Sequence, residues 1–410
     1  MSSVRGRTNP LTSESRLFRG PGSLLTWLLL FYPLWWALGL AGPIFFLIAV
    51  PMAVSLARRR SIETPPLFGV WLAFCIVVVV SMSALDLNPS GTVAEDWWNR
   101  IPGAVYRAAG YACVTVITLY AVNLTEAEFP RRRMVNLLAW TAVVTIAGGL
   151  LGTFWGAAEF TSPVEALLPD RVAADGFVQS LVHPQAAQMM DFLGYETPRP
   201  AAPWGYINTW GNVLAICLAW IVVAAFCFPV QTHWRVASVA LVALAVIPTV
   251  QSMNRGVWFN LALAALVIAI RMTIIGKPWA FGLLALAAVI GLVALAVTPL
   301  GTIVAESLDN PHSDDGRSFA TSEALEAVAE SPVLGFGSTR KAIGSGDSIA
   351  IGPTPDCPRC GGRTLGGNGQ LWQVLLAHGV AGAVTYVGFF VPCCGVFAAT
   401  TRPSESLVRL

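Results

Sequence analysis

Charge is what this sequence has least of. Asp, Glu, Lys and Arg make up 12% of its 410 residues, against about 25% in an ordinary soluble domain. So little charge cannot solvate a 43.6 kDa globule, and the mean hydropathy of +0.64 agrees. A soluble enzyme and a disordered chain are both excluded. The formal net charge of +2 leaves no basic footprint, which excludes nucleic acid as a partner. Lysine is nearly missing: Lys277 and Lys341 stand alone among the arginines. The eight cysteines are scattered and form no disulfide framework.

What remains is apolar sequence in long runs, with membrane lipids as the surroundings. A spanning helix needs about 20 apolar residues. Segments of that kind lie near 67–85, 102–122, 134–153, 207–230, 236–253, 256–275 and 279–300. The run from Leu24 to Ala57 is too long for one crossing, and Gly39 with Gly42-Pro43 splits it into a hairpin of two short helices. The last segment, 370–399, reads as one crossing preceded by a short dipping helix, with Gly379 and Gly382 marking the bend. The expected fold is all-α, a polytopic transmembrane bundle of about ten crossings.

Basic residues orient it. Arg5, Arg7, Arg16 and Arg19, then Arg58–Arg60, Arg131–Arg133, Arg235, Arg271, Lys277, Arg402 and Arg409 all fall on one side of that topology. That side is therefore cytoplasmic and holds both termini, in the cytoplasmic membrane. No signal peptide is expected, because the first apolar stretch is too long. The organisation reads as a cytoplasmic tail over 1–23, transmembrane helices over 24–300, a catalytic-type external loop over 301–369, a final membrane segment over 370–400 and a tail over 401–410. A further external loop lies at 155–205. Both loops are acidic, and loops of such length are commonly functional. Ser318–Glu330 is a good helix former that Asp314 or Asp315 can cap and Pro332 ends, with Leu325 and Val328 on one face.

Two arginines could carry chemistry. Arg255, in Ser252-Met-Asn-Arg255-Gly, falls at the outer membrane boundary between two apolar helices. It is either an interfacial arginine snorkelling to headgroups or an anion site for a lipid phosphate. Arg317 follows Asp314-Asp315-Gly316 at the start of the loop helix, where free N–H groups and the helix dipole suit phosphate. Its alternative is a salt bridge to Asp314 or Asp315. Most tryptophans near the outer boundary read as interfacial belt residues; Trp210 and Trp372, flanking the long loops, are the candidates for stacking on sugar rings. Cys357-Pro-Arg-Cys360 has half the spacing of a zinc ribbon, without the second pair that four ligands need. In an oxidising exterior a Cys357–Cys360 disulfide is expected instead. Cys393 and Cys394 read as small packed hydrophobes.

Arg255-Gly after an apolar helix resembles one element of the O-antigen ligase and polymerase superfamily of membrane glycosyltransferases. So does Arg317 followed by its helix and Glu330-Ser-Pro-Val-Leu-Gly-Phe-Gly337. A third element is Asn368-Gly-Gln-Leu-Trp-Gln-Val-Leu-Leu-Ala-His-Gly379-Val-Ala-Gly382. Order and spacing resemble that family over roughly 205–400. The resemblance implies transfer of a glycan from an undecaprenyl-pyrophosphate carrier to an acceptor hydroxyl, the acceptor being a glycan or a lipid. It implies inversion at the anomeric centre, with no nucleotide sugar, no metal and no cofactor. It gives Arg255 and Arg317 the pyrophosphate, a role that suits a permanently charged fork of donors. Relatives carry a histidine as general base where this chain has Asn368, and an amide orients an acceptor without deprotonating it. His312, five residues before Arg317, is the candidate substitute; His378 lies about 280° round the helix from Asn368 and faces elsewhere.

Three alternatives stand beside this reading. A glycosyltransferase using acidic residues in its first external loop is disfavoured, because Gly39–Gly42 has no carboxylate. A glycolipid transporter or flippase would place ionisable groups within helices, for which Arg107 and His378 are the candidates. A non-catalytic relative is the third, since many relatives have one or two more helices where this chain reaches Leu410.

Overall fold

The computed structural model describes residues 20–191, 196–274, most of 276–291, 312–343, 364–367 and 369–400. The chain is mostly helical. Six helices among the described residues have the length and apolar composition to cross a membrane: Trp97–Val122, Arg131–Phe154, Ile207–Phe226, Thr232–Gln251, Arg255–Ile274 and Gln370–Pro392. Pro43–Ala57 and Phe68–Ala84 are shorter apolar helices. Large apolar side chains such as Val50, Ile76, Ile216 and Phe259 point outward, as they do when lipid is the solvent. The chain is a helical membrane protein.

The fold is not purely α. Ala187–Asp191 and Glu196–Pro200 form an antiparallel hairpin, with Ala187 opposite Pro200. Arg340–Lys341 pairs with Thr364–Leu365 in a second, minimal sheet. The proline-rich 196–200 run carries no strand signal of its own. In a two-stranded sheet every strand is an edge, and that is where proline is tolerated.

The contacts divide the chain into two units, residues 1–59 with 123–310 and residues 60–122 with 311–410. In the first unit, Gly39 (φ 81°) turns the chain between Tyr32–Ala37 and Pro43–Ala57, so the long apolar run folds where its glycines stand. The core joins Arg131–Phe154 to Ile207–Phe226 through Ala142, Ile146, Trp210, Leu214, Cys217 and Ile221. In lipid such a contact rests on close packing rather than on water exclusion. Gly149 provides it: a Cβ there would stand 2.6 Å from the Trp210 ring. The expected 155–205 loop contains the short helices Pro163–Leu167, Asp170–Ala173 and Gly176–Val182 before the hairpin. Ser162 and Glu165 close a reciprocal capping box on the first of them.

The second unit packs Phe68–Ser81 and the Gln370–Thr400 helix through Trp71, Phe74, Val78 and Val374. His312–Glu330 is the helix read from sequence, and it begins earlier than expected, so Asp314 and Asp315 lie inside it rather than capping it. Its buried face is Ala324, Ala327 and Val328, while Leu325 is exposed; the small residues sit inward because the helix lies close against its neighbours. The segment 279–300 lies largely outside the described residues, as do the Cys357–Cys360 pair, Asn368 and the side chains of Cys393 and Cys394.

Candidate functional site

Two stretches singled out in the sequence meet within the second unit. The loop Ser331–Gly337, which ends the His312–Glu330 helix, is hydrogen-bonded along its length to the backbone of the last helix. Phe336 N donates to Leu376 O at 3.1 Å, Gly337 N to Ala377 O at 2.7 Å, Val380 N to Pro332 O at 2.8 Å and Ala381 N to Val333 O at 3.2 Å. Helix backbone is free for such bonds only where the helix is broken, and Gly379 (φ 62°, ψ −166°) breaks it. Gly335, also left-handed at φ 63°, crosses that break so closely that a Cβ would stand 2.6 Å from Gly379 N. Phe336 and Leu376 complete the contact in a core shared with Ala327, Val328, Ala342 and Leu365.

Beside the stitched loop lies a polar cleft of about 370 Å³, lined by Glu95, Asn99, Arg100, Gly103 and Arg107 of one segment and by Ser338–Lys341 with Thr364 of another. Among the described lining residues four are cations and one, Glu95, is a carboxylate. Arg340 is 2% exposed. Its guanidinium donates to Leu87 O (2.9 Å), Phe336 O (2.9 Å), Ser338 Oγ (2.7 Å) and Ser338 O (3.1 Å), and to Leu85 O at 3.2 Å. Burial, with Arg100 next in effect, pushes it down to about 10, so it remains cationic at neutral pH. Arg100 is anchored to Leu85 O at 2.7 Å and to Asn88 Oδ1, and its Nε stands 3.9 Å from Glu95. Glu95 also takes the Lys341 ammonium at 3.0 Å. Arg107 donates through Nη2 to Thr339 Oγ1 at 2.7 Å, and its buried Nη1 has no acceptor among the described residues. No carboxylate among the described residues forms an ion pair with Arg107 or Arg340.

Next to this region His378, 2% exposed, holds Nδ1 2.7 Å from Ser81 Oγ. The Ser81 hydroxyl already donates to Val78 O at 2.8 Å. It must therefore accept from Nδ1–H, which leaves Nε2 as a buried lone pair without a partner among the described residues. His378 is a packed residue of the bundle interior. Ser81→Ala should strand the Nδ1–H and cost about 1–3 kcal/mol. Thermal unfolding in detergent measures it, and an unchanged melting temperature would count against this hydrogen-bond assignment.

The sequence-derived candidates are distributed as follows. Arg255 opens the Arg255–Ile274 helix of the first unit and is half-buried. The preceding turn is fixed by Arg199 Nε donating to Ser252 O at 2.8 Å and by Asn254 Nδ2 donating to Asn208 Oδ1 at 3.0 Å. Trp210 is 0% exposed and gives its indole N–H to Thr145 O at 2.8 Å. A ring enclosed on both faces has none to offer a sugar, so Trp210 is a core residue rather than a stacking platform. Trp372 is half-buried near the start of the last helix. His312 and Arg317 lie in the first two turns of their helix, with side chains outside the described residues. Of the cleft residues, the sequence points to Arg107 alone. The signal is an arginine inside an apolar helix, and Arg100, about two turns earlier in the same helix, carries it too. Comparison with known families, with curated proteins and with solved structures finds no significant match for this chain.

Proposed function

We propose that the chain is a membrane glycosyltransferase of the O-antigen ligase and polymerase type. It moves a glycan from an undecaprenyl-pyrophosphate carrier to a glycan or lipid acceptor at the outer face of the cytoplasmic membrane. In this reading the bundle has about ten crossings, both termini are cytoplasmic, and residues 155–205 and 301–369 are external. One observation carries the proposal: the Glu330–Gly337 and Asn368–Gly382 elements, separate in sequence, are bonded backbone to backbone across Gly379. Elements that resemble one family's motifs thus form one construction, directly joined to the helix that bears Arg317.

The acceptor oxygen bonds to the anomeric carbon as the bond to the pyrophosphate oxygen breaks, and the electron pair leaves on the carrier. The acceptor proton passes to a base, for which His312 is the candidate, while Asn368 orients the hydroxyl and Trp372 offers a ring face to a sugar. Arg255 and Arg317 stabilise the departing diphosphate, as fixed cations do at a low-dielectric boundary. Losing one charge-assisted contact costs about 1.5–3 kcal/mol, so Arg255→Ala and Arg317→Ala should each slow transfer roughly tenfold to a hundredfold or more. Arg→Lys should fail nearly as badly, because a point charge does not replace a fork. Glycan transfer in membranes, with protein level checked by blot, is the measurement; normal transfer by either alanine variant removes that arginine from the site.

A further inference from the structure

The cleft around Arg107 is not among the residues that the transfer reading uses, and its chemistry is distinctive without that reading. Arg100, Arg107, Arg340 and Lys341 line it, with Glu95 the one carboxylate among the described lining residues and Asp86 and Asp96 acting on Arg100 from outside it. Two of the four cations are committed to holding the fold. Arg340 spends its donors on backbone carbonyls and on Ser338, and Arg100 on Leu85, Leu87 and Asn88. Neither use neutralises charge, because carbonyl and hydroxyl oxygens are dipoles. Glu95 is divided between Lys341 and Arg100. Among the described residues Arg107 is left with a single hydroxyl, Thr339 Oγ1, and a buried Nη1 without an acceptor. A largely buried cation such as Arg107 without a counterion is unfavourable in a folded chain unless something else supplies the countercharge.

We propose that this cleft is a binding site for a phosphoryl anion, a diphosphate or a phosphate monoester, with Arg107 as its principal cation. The open fork of Arg107 decides the class. Its Nη1 has no acceptor among the described residues, and a phosphoryl group brings several anionic oxygens to such a fork, which chloride does not. The polar remainder of the lining fits the same class: Asn99, Thr339 and Thr364 carry amide and hydroxyl groups that can donate to anionic oxygens. The volume of about 370 Å³ lies within the range of small-ligand sites, about 300–1,000 Å³. Position adds to this. Asn99, Arg100, Gly103 and Arg107 occupy the first turns of Trp97–Val122, a helix of spanning length, where a headgroup phosphate and a soluble diphosphate can both arrive. The site stands whether or not the chain transfers glycans.

The test is binding, not turnover, so it can fail independently of the transfer reading. The purified full chain in neutral detergent is titrated calorimetrically with inorganic pyrophosphate and, in a second arm, with short-chain phosphatidic acid. Arg107→Gln keeps a donor for Thr339 and removes the charge. Gly103→Asp places a carboxylate in the lining, where an added Cβ meets no atom within 4 Å. Arg171→Gln, an exposed arginine of the other unit, controls for loss of one surface charge. Melting curves of all four proteins establish that they are folded. The expected result is saturable binding of at least one probe, weakened at least about tenfold in Arg107→Gln and in Gly103→Asp and unchanged in Arg171→Gln. Binding of pyrophosphate identifies a free anion as sufficient; binding of phosphatidic acid alone identifies a lipid headgroup as the source. Absence of binding by either probe to the wild-type chain overturns the proposal, and so does binding that is equal in all variants.

Discussion

Gly379→Ala is expected to unfold the junction at the centre of the second unit. Gly379 has φ 62° and ψ −166°, a region that side chains other than hydrogen enter at a cost of about 1–3 kcal/mol. A Cβ there would also run into the Val333 carbonyl and stand 2.7 Å from Leu334 N. Those atoms belong to the backbone stitch and cannot yield without breaking Val380 N to Pro332 O and Ala381 N to Val333 O. Strain, overlap and lost hydrogen bonds together place the loss above about 4 kcal/mol, at the far end of single-substitution effects. Gly388→Ala is the matched control in the same helix, since its Cβ would meet only Val70 Cγ1 at an ordinary 3.8 Å. Melting temperature and yield in detergent measure both. A Gly379→Ala protein that melts with the wild type would mean that the helix runs straight and that the loop docks by other means.

Much of this junction is legible in the sequence, and the reason is local. Gly379 and Pro332 are punctuation that a chain cannot disguise: glycine marks the left-handed position and proline the end of a helix. The split at Gly39, the apolar runs and the helix ending at Glu330 are legible in the same way. Hydropathy and capping chemistry act within a few residues. The hairpin at 187–200 is not legible, because its prolines speak against a strand and only its tertiary setting permits one. Nor is the arginine cluster. Arg100 and Arg340 meet on the same carbonyls, Leu85 and Leu87, yet are separated by most of the chain. Trp210 shows the opposite error: a tryptophan beside a long loop looks like a boundary residue until its ring is found enclosed by Gly149 and the Ile146 layer.

Arg340→Met should destabilise the second unit by at least about 1–3 kcal/mol, the cost of leaving a buried hydrogen-bond acceptor without its donor. The side chain reaches the carbonyls of Ala84, Leu85, Leu87, Phe336, Ser338 and Thr339 and the Ser338 hydroxyl. It thereby ties the segment after Phe68–Ser81 to the loop before Arg340–Lys341. Methionine fills similar space and donates nothing. Arg340→Lys should recover little, because an ammonium has three donors on one atom and cannot span acceptors on both sides of a planar fork. The network also predicts how substitutions combine. Leu85 O and Leu87 O each receive a donor from Arg100 as well as from Arg340, so either single substitution leaves both carbonyls with one partner. Arg100→Met with Arg340→Met leaves them with none. The pair should therefore cost more than the sum of the singles, by about 0.5–3 kcal/mol of coupling. Denaturation of the wild type, both singles and the double in one detergent measures the coupling. Additive losses would show that the two guanidinium groups act on separate acceptors, and the shared-carbonyl description would have to be abandoned.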